Sequence, residues 1–258
     1  MATTLRDLGI VPAVPTAMHI LTDGRATRAA IMSELKWLVT GAKKGDLLIF
    51  YYSGHGSQMP DLTGEEVDRK DETICPHDFA TAGMIKDDDL RAVFSKIPAG
   101  VNLEVLLDSC HSGTGTREMA AMVDIPDEMK VTIRYVEPPF DYAFFLESDP
   151  TIATAGILKA TSAAKKPAGA KEAVVVATLN HVLWAGCKDN QTSGEANVGG
   201  VVRGFFTYCF CKCLRSKGGV VTRIDLDKMI AACMKSVGAS QTPQLEGTKA
   251  TMTEKVFT

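Results

Sequence analysis

A thiol and an imidazole occupy matching places in this chain. Cys110 sits in "DSCHSG", directly after the apolar run "LEVLL", and His55 sits in "SGHG", directly after "LLIFYY". A free thiol is only a few per cent thiolate near neutral pH, so a nucleophilic cysteine needs a nearby base or a field that lowers its pKa. An imidazole supplies that. The glycines on both sides of His55 let the backbone approach a bound group closely and leave amide N–H groups free for a developing oxyanion. The amides of Gly56 and Cys110 are the expected donors. Cys110 would attack a carbonyl carbon, and His55 would protonate the leaving amine, giving a thioester that water resolves. His111 competes for the role of base, but side chains adjacent at a strand end diverge, which favours His55.

The elements that must hold this pair are legible as buried strands between amphipathic helices. The continuous apolar runs at 47–52 and 103–107 read as parallel strands covered on both faces, and 181–186 reads as a third. Residues 17–21 read as a short strand. Ile31, Leu35, Leu38 and Val39 share one helical face, 88–95 looks helical, 201–215 and 223–237 carry helical periodicity, and "EKVFT" reads as a closing strand. Strands separated by helices predict an α/β sandwich with a mostly parallel central sheet flanked by helices. Ligands of such sheets lie beyond the carboxyl ends of the strands, and both candidate residues are placed there.

Composition narrows the function classes. The 258 residues, 45% of them hydrophobic, suffice for one domain with a large core. A formal charge of -3 and an isoelectric point near 6.0 give no basic surface for a polyanion, so nucleic acid is not an expected partner. The first residues lack the basic and apolar regions of a secretory signal, and no apolar run approaches the roughly 18 residues of a membrane span. The seven cysteines form no paired framework, which fits a reducing, cytoplasmic location. Cys209, Cys211 and Cys213 alternate within a predicted helix without a C-x-x-C or histidine partner and read as core residues. His19, His77 and His181 read as structural, and Trp37 and Trp184 as packed against the sheet. The segment 159–173, rich in Ala, Lys, Gly and Pro, reads as an exposed linker, whereas 114–158 carries no clear assignment.

Taken together, "YYSGHG" and "LLDSCHSG" resemble the catalytic pair of the metacaspases and their prokaryotic relatives, within the caspase-like clan of cysteine peptidases. Further similarity runs through "LTDGRATRAAIMSELKWLV", "DETICPHDF", "GCKDNQTSGEA", "GFFTYCFCKCLR" and "QTPQLEG". The resemblance implies a single caspase-like domain over 1–258, with a p20-like part to about 158 and a p10-like part from about 174. It implies cleavage after Arg or Lys, with Asp108 as the acidic group of the S1 pocket, which takes the side chain before the cut, and Ser53 as a second pocket position. A carboxylate pairs with a guanidinium through two hydrogen bonds. The loop "GCKDNQTSGEA" is expected to border the cleft, with Cys187 and Asp189 lining it.

The family also implies calcium, with Asp71, Asp87 and Asp88 as the matching positions; the competing reading is that "DDD" at 87–89 starts a helix. A fourth family carboxylate has no counterpart where this chain reads "TGTREMA". Family members begin with a first strand and a second S1 carboxylate, which this chain does not show, so a fragment or shortened form is expected. The expected activity is an Arg/Lys-directed cysteine endopeptidase that processes itself at Lys159, Lys165, Lys166 or Lys171. The alternative is a catalytically silent interaction module. The expected partners are protein or peptide substrates, with no membrane, and the expected state is a monomer.

Overall fold

Side chains alternate across a strand, and the run from Leu103 to Leu107 uses both faces. In the computed structural model, which describes residues 1–60, 70–110, 132–136, 181–188, 191, 193–198 and 201–258, that run lies in β5 (Asn102–Asp108). Leu103, Val105 and Leu107 enter one apolar cluster with Ile31, Leu35, Leu90 and Phe94. Leu106 enters another with Trp184, Phe206, Phe210, Leu226 and Ile230. The result is a sheet between two helical layers. One layer holds α2 (Arg28–Val39) and α4 (Asp87–Phe94). The other holds α5 (Phe205–Ser216) and α6 (Arg223–Ser236), with α1 (Ala2–Asp7) contributing Leu5. Thr27 and Thr222 start α2 and α6, each accepting a backbone N–H of the first turn through its hydroxyl.

The central sheet has the order β1-β5-β7-β10. β1 (Leu47–Ser53) and β7 (His181–Ala185) run parallel to β5, and β10 (Gln244–Glu246) closes the far side antiparallel to β7. This is the α/β sandwich with a mostly parallel sheet that the sequence predicts. Two small sheets lie outside it. β2 (Gly56–Pro60), β3 (Lys70–Ile74) and β4 (Ile85–Lys86) form one, with α3 (Phe79–Ala82) between β3 and β4 in the chain. β6 (Thr132–Ile133), β8 (Gly194–Val198) and β9 (Val201–Gly204) form the other.

Several local expectations fail for identifiable reasons. β1 is half-buried rather than covered throughout, because among the described residues it pairs only with β5 and stands at the sheet edge. Residues 18–22 are extended without a ladder partner. The predicted helix at 201–215 divides at Gly204, since β9 takes the first four residues and α5 starts at Phe205. "EKVFT" contributes a single bridge, Lys255 to Thr222, before the short α7 (Lys249–Thr253) gives way to the terminus. Trp37 stacks on His19 at 3.7 Å between ring centroids and stays exposed, whereas Trp184 is fully buried.

Two features tie the p10-like half together. Cys209 of α5 and Cys233 of α6 are disulfide-bonded with Cα atoms 5.7 Å apart, against the expectation that no cysteines pair. Glu104, fully buried on β5, accepts from Arg223 Nε at 2.7 Å, Trp184 Nε1 at 2.7 Å and the Phe257 amide at 3.0 Å. Arg223 in turn donates to the Thr251 carbonyl and to the Glu254 carboxylate. The buried charges are thereby compensated on every side, the condition under which an ion pair tolerates a low-dielectric core. No helix among the described residues is long and apolar enough to cross a membrane. The Lys-rich segment at 159–173, including Lys159, Lys165, Lys166 and Lys171, lies outside the described residues, as do His111, Arg117 and Asp189.

Candidate active site

Parallel pairing of β1 with β5 brings the two motifs to one edge. The register sets Ser53 opposite Asp108, so each strand ends at the same level, and His55 and Cys110 follow two residues later on each side. Gly56 starts β2 under tight constraint. A Cβ there would overlap the carbonyl of Cys110, so the two loops touch backbone to backbone.

The amides of Gly56 and Cys110 converge on one acceptor, the carbonyl oxygen of Arg134, at 2.9 and 3.2 Å. Arg134 follows β6, which pairs antiparallel with β8 through Thr132 and Ile133. Its own amide donates to the Ser193 carbonyl at 3.0 Å, and two residues on, the Val136 amide donates to the Gly56 carbonyl at 2.9 Å. The segment is an extended strand laid across the carboxyl edge of the sheet.

The Arg134 side chain fills an acidic pocket. Nη1 donates to Ser53 Oγ at 2.6 Å and to the Asp108 carbonyl at 2.9 Å, and lies 3.2 Å from Asp108 Oδ2. Nε and Nη2 donate to Glu195 Oε2 at 3.0 and 2.8 Å. Burial works against the guanidinium charge, yet Asp108 and Glu195 together hold its pKa above the ordinary value. Asp108 is fully buried and kept in place independently of the arginine, by Ser193 Oγ at 3.0 Å and the Thr207 amide at 3.1 Å. Thr207 lies in the first turn of α5, so the carboxylate also faces the positive end of a helix. Gly204 leaves the pocket open: a Cβ at that position would run into the Asp108 carboxylate and the Arg134 guanidinium.

The structure therefore brings Ser53, Asp108, Gly56 and Cys110 together around Arg134. It adds Glu195, Ser193, Thr207 and Gly204, which the sequence reading did not single out. Glu195 lies within "GCKDNQTSGEA", the loop expected to border the cleft, but its acidic role depends on β8 being turned toward Ser53, which spacing alone does not reveal.

The reacting groups are apart. The Cys110 thiol is buried and bonded to the backbone of Ser193, donating to its carbonyl at 2.9 Å and accepting from its amide. The neighbouring Cys187 thiol, with backbone bonds at Ser193 and Arg134, holds the Cys110 pKa below the ordinary thiol value against burial and the Asp108 charge. His55 is exposed, and its ring has no hydrogen-bond partner among the described residues. Its carbonyl, by contrast, is anchored by the Tyr52 hydroxyl at 2.6 Å and the Cys75 amide at 3.0 Å. The loop is fixed while the ring is not.

Asp71, Asp87 and Asp88 lie on β3 and at the start of α4, on the other side of β2. Lys86 pairs with Asp71, and Arg91 reaches Asp87 at 3.5 Å and Asp88 at 3.1 Å. Burial and the neighbouring Asp88 and Asp71 push Asp87 up to about 6, and its Oδ1 is buried without a hydrogen bond. No group of three or more ligating side chains able to hold a metal converges among the described residues. The donors are hard oxygens, and the orphaned Oδ1 fits a hard cation.

Comparison with known proteins agrees with this geometry. Residues 12–117 match the model of the metacaspase, peptidase C14 domain. Metacaspase-1 of Cryptococcus neoformans is 36% identical over 208 residues, covering 73% of this chain and 43% of that protein. Metacaspase-1 of Schizosaccharomyces pombe is 34% identical over 212 residues, covering 75% and 49%. The chain thus spans about half the length of these curated relatives. A crystal structure of a Geobacter sulfurreducens protein superposes with a TM-score of 0.62 at 27% identity, covering 94% of this chain and 82% of that one. By sequence and by fold, the chain belongs to the metacaspase family of caspase-like cysteine peptidases.

Proposed function

We propose that the protein is a cysteine endopeptidase that cuts after arginine or lysine through Cys110 and His55. The observation that carries this reading is Arg134, whose guanidinium rests on Asp108, Ser53 and Glu195 while its carbonyl oxygen accepts from the Gly56 and Cys110 amides. A peptide substrate held the same way would have its carbonyl polarised by two fixed N–H donors. The Cys110 thiolate would attack that carbon, and His55 would protonate the departing amine. Water, deprotonated by His55, would then release the acid and restore the thiol. Lysine would reach Asp108 and Ser53 but lacks the fork that engages Glu195, so arginine is the preferred residue.

Calcium has narrower support, the unpartnered Asp87 Oδ1. Asp71, Asp87 and Asp88 would hold the ion, which would supply charge neutralisation in place of Lys86 and Arg91. The substrates are proteins or peptides met by a monomer. The -3 net charge argues against nucleic acid, and the Cys209–Cys233 disulfide weighs against a strongly reducing compartment. A second reading, a silent binding module, draws on the exposed His55 ring and the Cys110 thiol turned to Ser193.

Hydrolysis of fluorogenic Arg, Lys and Asp peptides by wild type and Cys110→Ala tests the reading. Turnover of the basic peptides that vanishes in Cys110→Ala is expected. No turnover by a folded wild type, with Arg134 removed as well, would favour the silent module.

A further inference from the structure

We infer that the Arg134–Tyr135 peptide bond is the protein's own first substrate, cut in cis, and that the strand carrying it keeps the cleft closed to other substrates until then. This rests on the peptidase reading above and adds a site to it, since the sequence pointed instead to lysines of the 159–173 segment.

Every contact that a scissile residue requires is made by Arg134. The side chain is in the acidic pocket, and the carbonyl oxygen is held by two amides. The backbone is fixed on both sides of the bond, by the Arg134 amide on the Ser193 carbonyl and by the Val136 amide on the Gly56 carbonyl. Ile133 and Thr132 continue the alignment by pairing with Gly194 and Glu195. An external arginine peptide would need the same donors, acceptors and carboxylates, so the two cannot bind together. Because the occupant is part of the chain, its effective concentration far exceeds that of a dilute substrate.

What the occupied site lacks is the nucleophile's orientation. Sγ of Cys110 is bonded to Ser193 and must rotate about its Cα–Cβ bond to meet the Arg134 carbonyl carbon; the unpartnered His55 ring must swing to the Tyr135 nitrogen. The chemistry then balances with water alone. The Cys110 sulfur bonds to the Arg134 carbonyl carbon, the C–N bond to Tyr135 breaks, and the nitrogen takes a proton from His55. Water hydrolyses the thioester, leaving a carboxylate on Arg134, an amine on Tyr135 and the thiol restored. The cut separates 1–134 from 135–258.

The test is the intact mass and new N-terminus of the purified full chain over time, beside hydrolysis of an Arg peptide. Wild type should yield fragments ending at Arg134 and starting at Tyr135, with a rate constant unchanged across about a hundredfold range of protein concentration. Its peptide hydrolysis should show a lag matching that cut. Cys110→Ala should stay whole. Arg134→Lys should be cut at least tenfold more slowly, and Arg134→Gln should stay whole at this bond yet hydrolyse the peptide without a lag. Wild type that hydrolyses the peptide while residues 134 and 135 remain joined would overturn the proposal and leave the peptidase reading intact. So would a rate proportional to protein concentration, or a cut in Cys110→Ala. No peptide hydrolysis by any folded form, Arg134→Gln included, would instead remove the peptidase reading itself.

Discussion

Asp108 and Arg134 form a buried ion pair, Oδ2 to Nη1 at 3.2 Å, at the carboxyl edge of the central sheet. Neither partner depends on the other for its position. Asp108 is fixed by Ser193 and the first turn of α5, and Arg134 by β6 pairing with β8. The pocket is therefore preorganised for a guanidinium and does not collapse around one. Removing the charge at Asp108 leaves a bound arginine buried and half-compensated, a loss of about 2–5 kcal/mol. Asp108→Asn should lower kcat/KM for an Arg peptide by about 30- to 1000-fold, with circular dichroism unchanged; a loss under threefold would remove Asp108 from the pocket.

Glu195 distinguishes arginine from lysine. Its Oε2 takes both Nε and Nη2 of Arg134, atoms that a lysine side chain does not have. Hydrogen bonds to a charged group contribute about 1.5–3 kcal/mol each way they are counted. Glu195→Gln should therefore reduce kcat/KM for an Arg peptide by about 10- to 100-fold and for a Lys peptide much less, narrowing the preference between them. Equal losses on both substrates would assign Glu195 to holding β8 rather than to reading the substrate.

The pair of residues that opened the problem, His55 and Cys110, was legible because each ends a continuous apolar run, and β1 and β5 prove to be register neighbours. Ser53 and Asp108 followed from the same runs. Glu195 and Arg134 were not legible, since β6 is two residues long and its pairing to β8 spans most of the chain. No local period marks such a strand. The half-buried state of β1 was likewise invisible: an apolar run looks the same at an edge as in the centre, and only the strand order decides. The Cys209–Cys233 bond depends on how α5 packs on α6, which the spacing of cysteines along one helix does not encode.

Cys187 tunes the nucleophile. Its thiol is the largest influence lowering the Cys110 pKa, ahead of the opposing effect of burial. A lowered pKa favours the thiolate in the folded state, so this stability is complete above the ordinary thiol value and is lost as pH falls through the lowered one. Thiolate absorbance near 240 nm, taken as the difference between wild type and Cys110→Ala, should titrate below the ordinary thiol range. In Cys187→Ala the midpoint should move up. An unmoved midpoint would assign the shift to the Ser193 backbone instead.

Asp87 provides the test of calcium. Its buried Oδ1 lacks a partner, and Lys86 and Arg91 already neutralise the surrounding carboxylates. Calcium bound there should raise the Tm of wild type over a chelated sample, and Asp87→Asn should abolish that rise. A rise that persists in Asp87→Asn would move the ion elsewhere.

The core of the p10-like half hangs on Glu104. It is the single acceptor shared by Arg223, Trp184 and the Phe257 amide, and so links β5, β7, α6 and the last residues of the chain. Breaking one side of a buried pair leaves an uncompensated charge and costs about 3–5 kcal/mol. Arg223→Met should destabilise the protein by that amount in urea unfolding, because Glu104 is stranded. The double variant Glu104→Leu, Arg223→Met should recover a large part of the loss, since two apolar side chains strand no charge. The Trp184 indole and the Phe257 amide would still lack their acceptor, which sets the limit of recovery at about 1–3 kcal/mol short of wild type. A double variant no more stable than Arg223→Met would show that the network's value lies in those neutral bonds rather than in the ion pair.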